Sequence, residues 1–182
     1  WSFFIPKSGD IEVISYTDNK KLMIANDDSY EEVIVKGVNI GGSIPGHYVT
    51  DYAIPYETYY SWLESIHELG SNTVRLNTIF NDDFYDAFYD YNEAHDEKLY
   101  LIQGINLDSY VLNSHHDGFS HAYYGELITR AENAVDVVHG RKKMTLNNVG
   151  KGKYKKNVSK YVLAYVVGSE WIDDTIMYTD NK

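Results

Sequence analysis

The stretch Tyr161-Val-Leu-Ala-Tyr-Val-Val-Gly-Ser-Glu-Trp171 decides the fold: seven apolar or aromatic residues run without a break, Gly168 closes them, and a carboxylate follows at Glu170. Such a run suits a strand buried on both faces, as in a parallel sheet covered by helices. Its carboxyl end is where α/β folds collect ligands and catalytic groups, so Glu170, with Trp171 beside it, is a candidate for chemistry. The competing reading is a surface-loop or helix-capping glutamate.

Working outward, three further runs read as strands: Glu32 to Gly42, Asn72 to Ile79 and Leu99 to Gly104. Helical spacing lies between them. Glu57 to Leu69 places Tyr59, Trp62, Ile66 and Leu69 on one stripe with Gly70 as the stop. Asn81 is placed to cap a helix whose first turn carries Asp82 and Asp83, where the dipole favours acids, and whose stripe is Phe84, Phe88 and Tyr91. Ser120 to Val138 has a stripe of Tyr124, Leu127, Ile128, Ala131, Ala134, Val135 and Val138. Strands alternating with helices predict βα units and a parallel sheet, doubly wound or barrel-forming. Gly37-Val-Asn-Ile-Gly-Gly42 lacks the spacing of a dinucleotide fingerprint and no Walker pattern appears, so no cofactor is expected and the barrel is the favoured form. The expected organisation is a leading segment of short strands over residues 1–32 and an α/β half-barrel of about four parallel strands over residues 33–182.

Alternation along each strand adds chemical content. Val74 and Leu76 share the face that should meet helices; Thr73, Arg75 and Asn77 share the other, a row polar enough to require a polar interior. Gly37 and Asn39 lie on one parity of the first strand, and Ala164, Gly168 and Glu170 on one parity of the last. Small residues below a terminal polar one leave room for a ligand. The alternative is that Arg75 only neutralises a buried acid.

The segments Val35-Lys-Gly-Val-Asn-Ile-Gly, Leu69-Gly-Ser-Asn-Thr-Val-Arg-Leu and Val162-Leu-Ala-Tyr-Val-Val-Gly-Ser-Glu-Trp resemble, in order and spacing over about residues 33 to 175, the amino-terminal half of a clan A glycoside hydrolase TIM barrel, similar to family 2 barrel domains and the β-1,3-glucanosyltransferases. The resemblance implies a hydrolase or transglycosylase acting on carbohydrate, with Glu170 as general acid/base and Arg75 helping to hold the nucleophile; it also suggests an extracytoplasmic location. Two departures stand out. Ser169 occupies the place where the clan usually has an asparagine, and the nucleophile's strand lies beyond the four found here, while retaining hydrolysis needs two carboxyl groups about 5–5.5 Å apart. A full barrel takes about 250 residues. The alternative expectation is therefore a non-catalytic carbohydrate-binding or interaction module of a larger surface protein.

Other features fill in the picture. The net charge of −11 argues against a nucleic-acid partner. The apolar runs fall short of the roughly 20 residues of a membrane span, and no cysteine supplies disulfides or thiolate metal ligands. The absence of an initiator methionine before Trp1 leads us to expect a piece cut from something longer. His47 and Tyr48 after the first strand, and Asp108 and Tyr110 after the third, are further ligand candidates. His115-His116-Asp117 reads as a solvated loop, not a metal site, since adjacent side chains point apart. Residues Arg141 to Lys160 hold eight of the sixteen basic residues and no acid; they read as a mobile solvated hairpin at the amino-terminal end of the sheet, away from Glu170, or alternatively as a patch for an anionic surface. Half a barrel leaves two strand edges and one sheet face uncovered, which predicts self-association, packing against a missing half-barrel, or cover from the leading segment.

Overall fold

The computed structural model describes residues 14–26, 29–107, 117–146, 150–168 and 171–181, and the chain divides into two units, Trp1–Ile34 and Val35–Lys182. In the first, β1 (Ser15–Asp18), β2 (Lys21–Asn26) and β3 (Ser29–Val33) form an antiparallel meander in that order. Asn19, at the β1–β2 turn, adopts a left-handed φ of 54°, a conformation asparagine tolerates better than most residues. The predicted strand Glu32 to Gly42 is thus two strands. Val33 pairs with Leu22 in the meander, pairing in the second unit begins only at Gly37, and Ile34 between them is 70% exposed. Apolar content alone does not distinguish one long strand from two short ones in different sheets.

The second unit is built on four parallel strands, β4 (Gly37–Ile40), β5 (Thr73–Leu76), β6 (Tyr100–Ile105) and β9 (Val162–Val167), in that spatial order. Helices α1 (Tyr56–Glu68), α2 (Asp82–Ala94) and α3 (His121–Val138) connect them in turn, and α4 (Asp173–Asp180) follows β9. Each crossover steps the same way along the sheet, and because such crossovers keep one hand, all three helices fall on one face. Burial agrees: Val74, Leu76 and Leu101 are buried in one cluster with Leu63, Phe84, Phe88 and Val137, whereas Gly37 and Asn39 on the other parity are exposed. A doubly wound sheet would reverse direction and cover both faces; this arrangement is that of half a (βα)8 barrel.

The buried layer is aromatic. Phe84 stacks on Phe88 at 5.7 Å between centroids and meets Tyr59 edge-on at 5.3 Å, geometries that add about 0.5–1.5 kcal/mol each beyond burial. One polar side chain is accommodated in it: fully buried Gln103 accepts from the Tyr85 hydroxyl at 2.7 Å and donates to the Thr78 and Gly104 carbonyls. Burial pushes the Tyr85 phenol well above its usual range, so it stays a donor.

Helix faces agree with the sequence in part. Phe84, Phe88 and Tyr91 are buried, as the spacing predicts. In α1, Leu63 replaces Trp62 and Leu69 on the buried stripe, and Leu69 is 78% exposed. In α3 the stripe is rotated: Tyr123, Ala134, Val137 and Val138 are buried, while Tyr124 and Ile128 are exposed. Asn81 stands at the N-cap of α2 but does not cap it; its amide donates instead to the Ile54 carbonyl at 2.9 Å, tying down the loop before α1.

The basic segment differs most from expectation. It forms an antiparallel hairpin, β7 (Lys142–Leu146) with β8 (Gly150–Tyr154). Arms of five residues at about 3.3 Å each span the height of the sheet, and the hairpin reaches its carboxyl end: the Tyr154 hydroxyl donates to the Phe80 carbonyl at 2.6 Å, and the Lys153 amide to Asp82 at 2.8 Å. Its flanks pair with the helices. Lys156 bonds Asp90, Lys160 bonds Glu93, and Arg141 bonds Asp136. Lys142 lies 3.8 Å from Asp136 as well, so four of the segment's eight basic side chains are paired within the chain.

Tyr154→Phe strands the buried Phe80 carbonyl without its donor, and we expect a loss of about 1–3 kcal/mol in urea unfolding; an unchanged midpoint would mean the hairpin is not docked as described. Asp86 gives a pH signature. Burial, then Asp82, holds its carboxyl above the usual range, so the folded state favours the protonated form and this group's contribution falls as pH rises through its folded pKa. Asp86→Asn should therefore raise Tm at about pH 7 and leave it unchanged at about pH 3.

Candidate functional site

Strand register brings part of the expected polar row together. Asn39 on β4 pairs with Arg75 on β5, which pairs with Ile102 on β6, which pairs with Ala164 on β9, so these four share one row on the face opposite the helices, the uncovered face, on which no helix lies among the described residues. A register shift between Leu101 and Ile102 sets Ala164 on that face. Within the row, Arg75 Nη1 donates to Asn39 Oδ1 at 3.3 Å. Asn77 follows the end of β5 on the same parity and is exposed. Among the described residues no strand of this sheet carries a carboxylate, so the row presents a cation and amides and lacks an acid.

The other sequence candidates scatter. His47 lies 3.6 Å from Asp51 on an exposed loop, and Tyr48 beside it is 81% exposed. Glu170, Asp108, Tyr110, His115 and His116 lie outside the described residues. Trp171, just after Glu170, is anchored: its ring stacks on Tyr123 of α3 at 5.2 Å, and Gly168 packs against the indole so closely that an added Cβ would come within 2.3 Å of Nε1. Gly168 also has φ of +67°, a conformation glycine adopts at least cost.

A second concavity, not anticipated from the sequence, opens at the carboxyl ends of β5 and β6. It is a cleft of about 210 Å³ walled by α3, Met144 and Thr145 of β7, and Tyr52. Glu126 and Arg130, one helical turn apart on α3, form an ion pair across its wall at 2.7 Å. Thr129 and Asn133 complete the helix's polar stripe, and Thr78 and Thr145 face them from the strand end and the hairpin. Tyr52 has a left-handed φ of 48°, a strained conformation for an aromatic residue, held here by the surrounding structure. Burial pushes its phenol up, with Arg130 pulling the other way. Asn106, on the rim, has a buried carboxamide oxygen without a hydrogen-bond partner. The signal for this site is present in the sequence as the polar residues 126, 129, 130 and 133, one face of a helix, opposite in character to its apolar stripe.

Comparison with family models, with curated proteins and with solved structures finds no match to this chain. Among the described residues no helix is long and apolar enough to cross a membrane.

Gly168→Ala should displace Trp171 from Tyr123. We expect a red shift in tryptophan emission and a loss of at least about 1 kcal/mol from the left-handed backbone alone; unchanged emission and stability would show that Gly168 does not hold Trp171 in place.

Proposed function

We propose that the chain is a carbohydrate-directed half-barrel in which Glu170 serves as general acid/base. The observation that supports this best is the hydrogen-bonded Asn39–Arg75 pair on the uncovered face of a one-sided parallel sheet, with Glu170 two residues beyond Gly168 at the carboxyl end of β9. In this reading Glu170 protonates the departing glycosidic oxygen, Asn39 and Asn77 bond sugar hydroxyls, and Arg75 orients a second carboxylate that attacks the anomeric carbon. That carboxylate must come from outside the four strands. Among the described residues β4 and β9 are the outer strands of the sheet, and their outer edges are where a second half-barrel, a further copy or another segment, would close it.

The lack of an acid on the four described strands favours one further reading, a non-catalytic module that binds carbohydrate through the same face. Calorimetry with neutral oligosaccharides tests the shared part: Arg75→Ala and Asn39→Ala should each weaken binding about tenfold, or 1.4 kcal/mol. Binding indifferent to both removes the uncovered face from consideration. Turnover of an aryl glycoside, abolished by Glu170→Gln, decides for the catalytic form; binding without turnover decides for the module.

A further inference from the structure

The cleft between α3 and the hairpin has a lining whose chemistry selects a ligand. Among the described lining residues the charged side chains are Glu126 and Arg130, and they are paired to each other at 2.7 Å. An anion would compete with Glu126 for the guanidinium, and a cation with Arg130 for the carboxylate, each at the expense of a charge-assisted hydrogen bond. A ligand of neutral hydroxyl groups, each both donor and acceptor, meets carboxylate and guanidinium without separating them.

The remaining walls fit the same class. Among the described residues the side chains of Thr78, Asn133 and Thr145 make no hydrogen bond with the protein, and all three line this one cleft. Ile79, Ile105 and Met144 supply apolar wall beside them, which suits a ring with polar edges and C–H faces. The volume of about 210 Å³ lies below the roughly 300–1,000 Å³ of drug-sized sites, which limits the occupant to a single ring. We propose that this cleft is a binding site for one neutral sugar ring or a cyclic polyol of that size. It shares none of its lining residues with the Asn39–Arg75 row and does not depend on Glu170, so it stands apart from the function proposed above.

The test is an amide-resolved NMR titration of the 182-residue chain with methyl glucoside, methyl galactoside and myo-inositol, with glucuronate as the anionic comparison. Saturable shifts at Thr129, Asn133 and Thr145 with at least one neutral ring are expected, with Kd of about 1 mM. Thr145→Trp, which fills the cleft from the hairpin side, should abolish them, and Arg130→Met, which leaves Glu126 unpaired, should weaken them about tenfold. Asn133→Leu, on the half-buried, cleft-lining side of α3, provides an independent loss of binding; spectra unchanged outside the cleft confirm that each variant folds. Arg75→Ala should leave the cleft shifts intact. The proposal is overturned if no neutral ring shifts these residues, if the shifts survive both Thr145→Trp and Asn133→Leu, or if glucuronate binds more tightly than every neutral ring. Shifts confined to Asn39, Arg75 and Asn77 would likewise overturn it while supporting the uncovered face as the carbohydrate site.

Discussion

Every crossover in the parallel sheet turns the same way, and the rest of the second unit depends on that constraint. With α1, α2 and α3 all on one face, the sheet has one side packed like a protein interior and one side whose residues answer only to their neighbours in the row. Val74, Leu76 and Leu101 disappear beneath the helices. Asn39 and Arg75, a strand apart and facing the other way, are left to bond each other. Among the described residues this carboxamide and guanidinium in register have no acid partner, and Asn39 is exposed and Arg75 half-buried; under the helices a charge so placed would carry a desolvation penalty of several kcal/mol.

Burial on the helical side places strict demands on polar groups, and the sequence meets them by long-range pairing. Gln103 sits in the sheet's buried layer with its oxygen taken by Tyr85 and its nitrogen by Thr78 and Gly104. Asn92, also fully buried, bonds the Phe88 carbonyl and the Leu99 amide, joining the end of α2 to the start of β6. Gly104 belongs to the same arrangement: a Cβ there would lie 2.3 Å from the Asn77 carbonyl oxygen. The strand ends that frame the cleft are thus close-set by a glycine and braced from below by a buried amide.

The electrostatics of the hairpin explain how a basic segment sits on an acidic chain. Lys156 and Lys160 reach Asp90 and Glu93 on α2, and Lys156 also lies 4.7 Å from the centre of the Tyr89 ring. Exposed pairs of this kind contribute about 0.2–1 kcal/mol each. They orient the hairpin more than they stabilise it; the buried Tyr154 ring and its hydroxyl supply the stronger hold. The consequence is positional, because a docked hairpin brings Thr145 and Met144 to the carboxyl end of the sheet, where they become one wall of the cleft.

The sequence by itself determined the succession of βα units, the four strands of the parallel sheet and the division of Val74 and Leu76 from Arg75, because alternation and helical spacing are local and repeat within a few residues. It also marked the stop of α1, where Gly70 takes a φ of +76°. Only the tertiary structure decided that Glu32 to Gly42 serves two sheets, that Asn81 turns to Ile54 in place of its own helix, that α3 buries Tyr123 where the stripe had named Tyr124, and that the basic hairpin climbs to the carboxyl end. Successive helical residues differ by only about 100°, so a stripe read from spacing alone is free to rotate by one position until a partner surface fixes it. The hairpin's place depends on Tyr154 meeting Phe80 across 74 residues of chain, and a contact of that separation leaves no periodic trace in the sequence on either side.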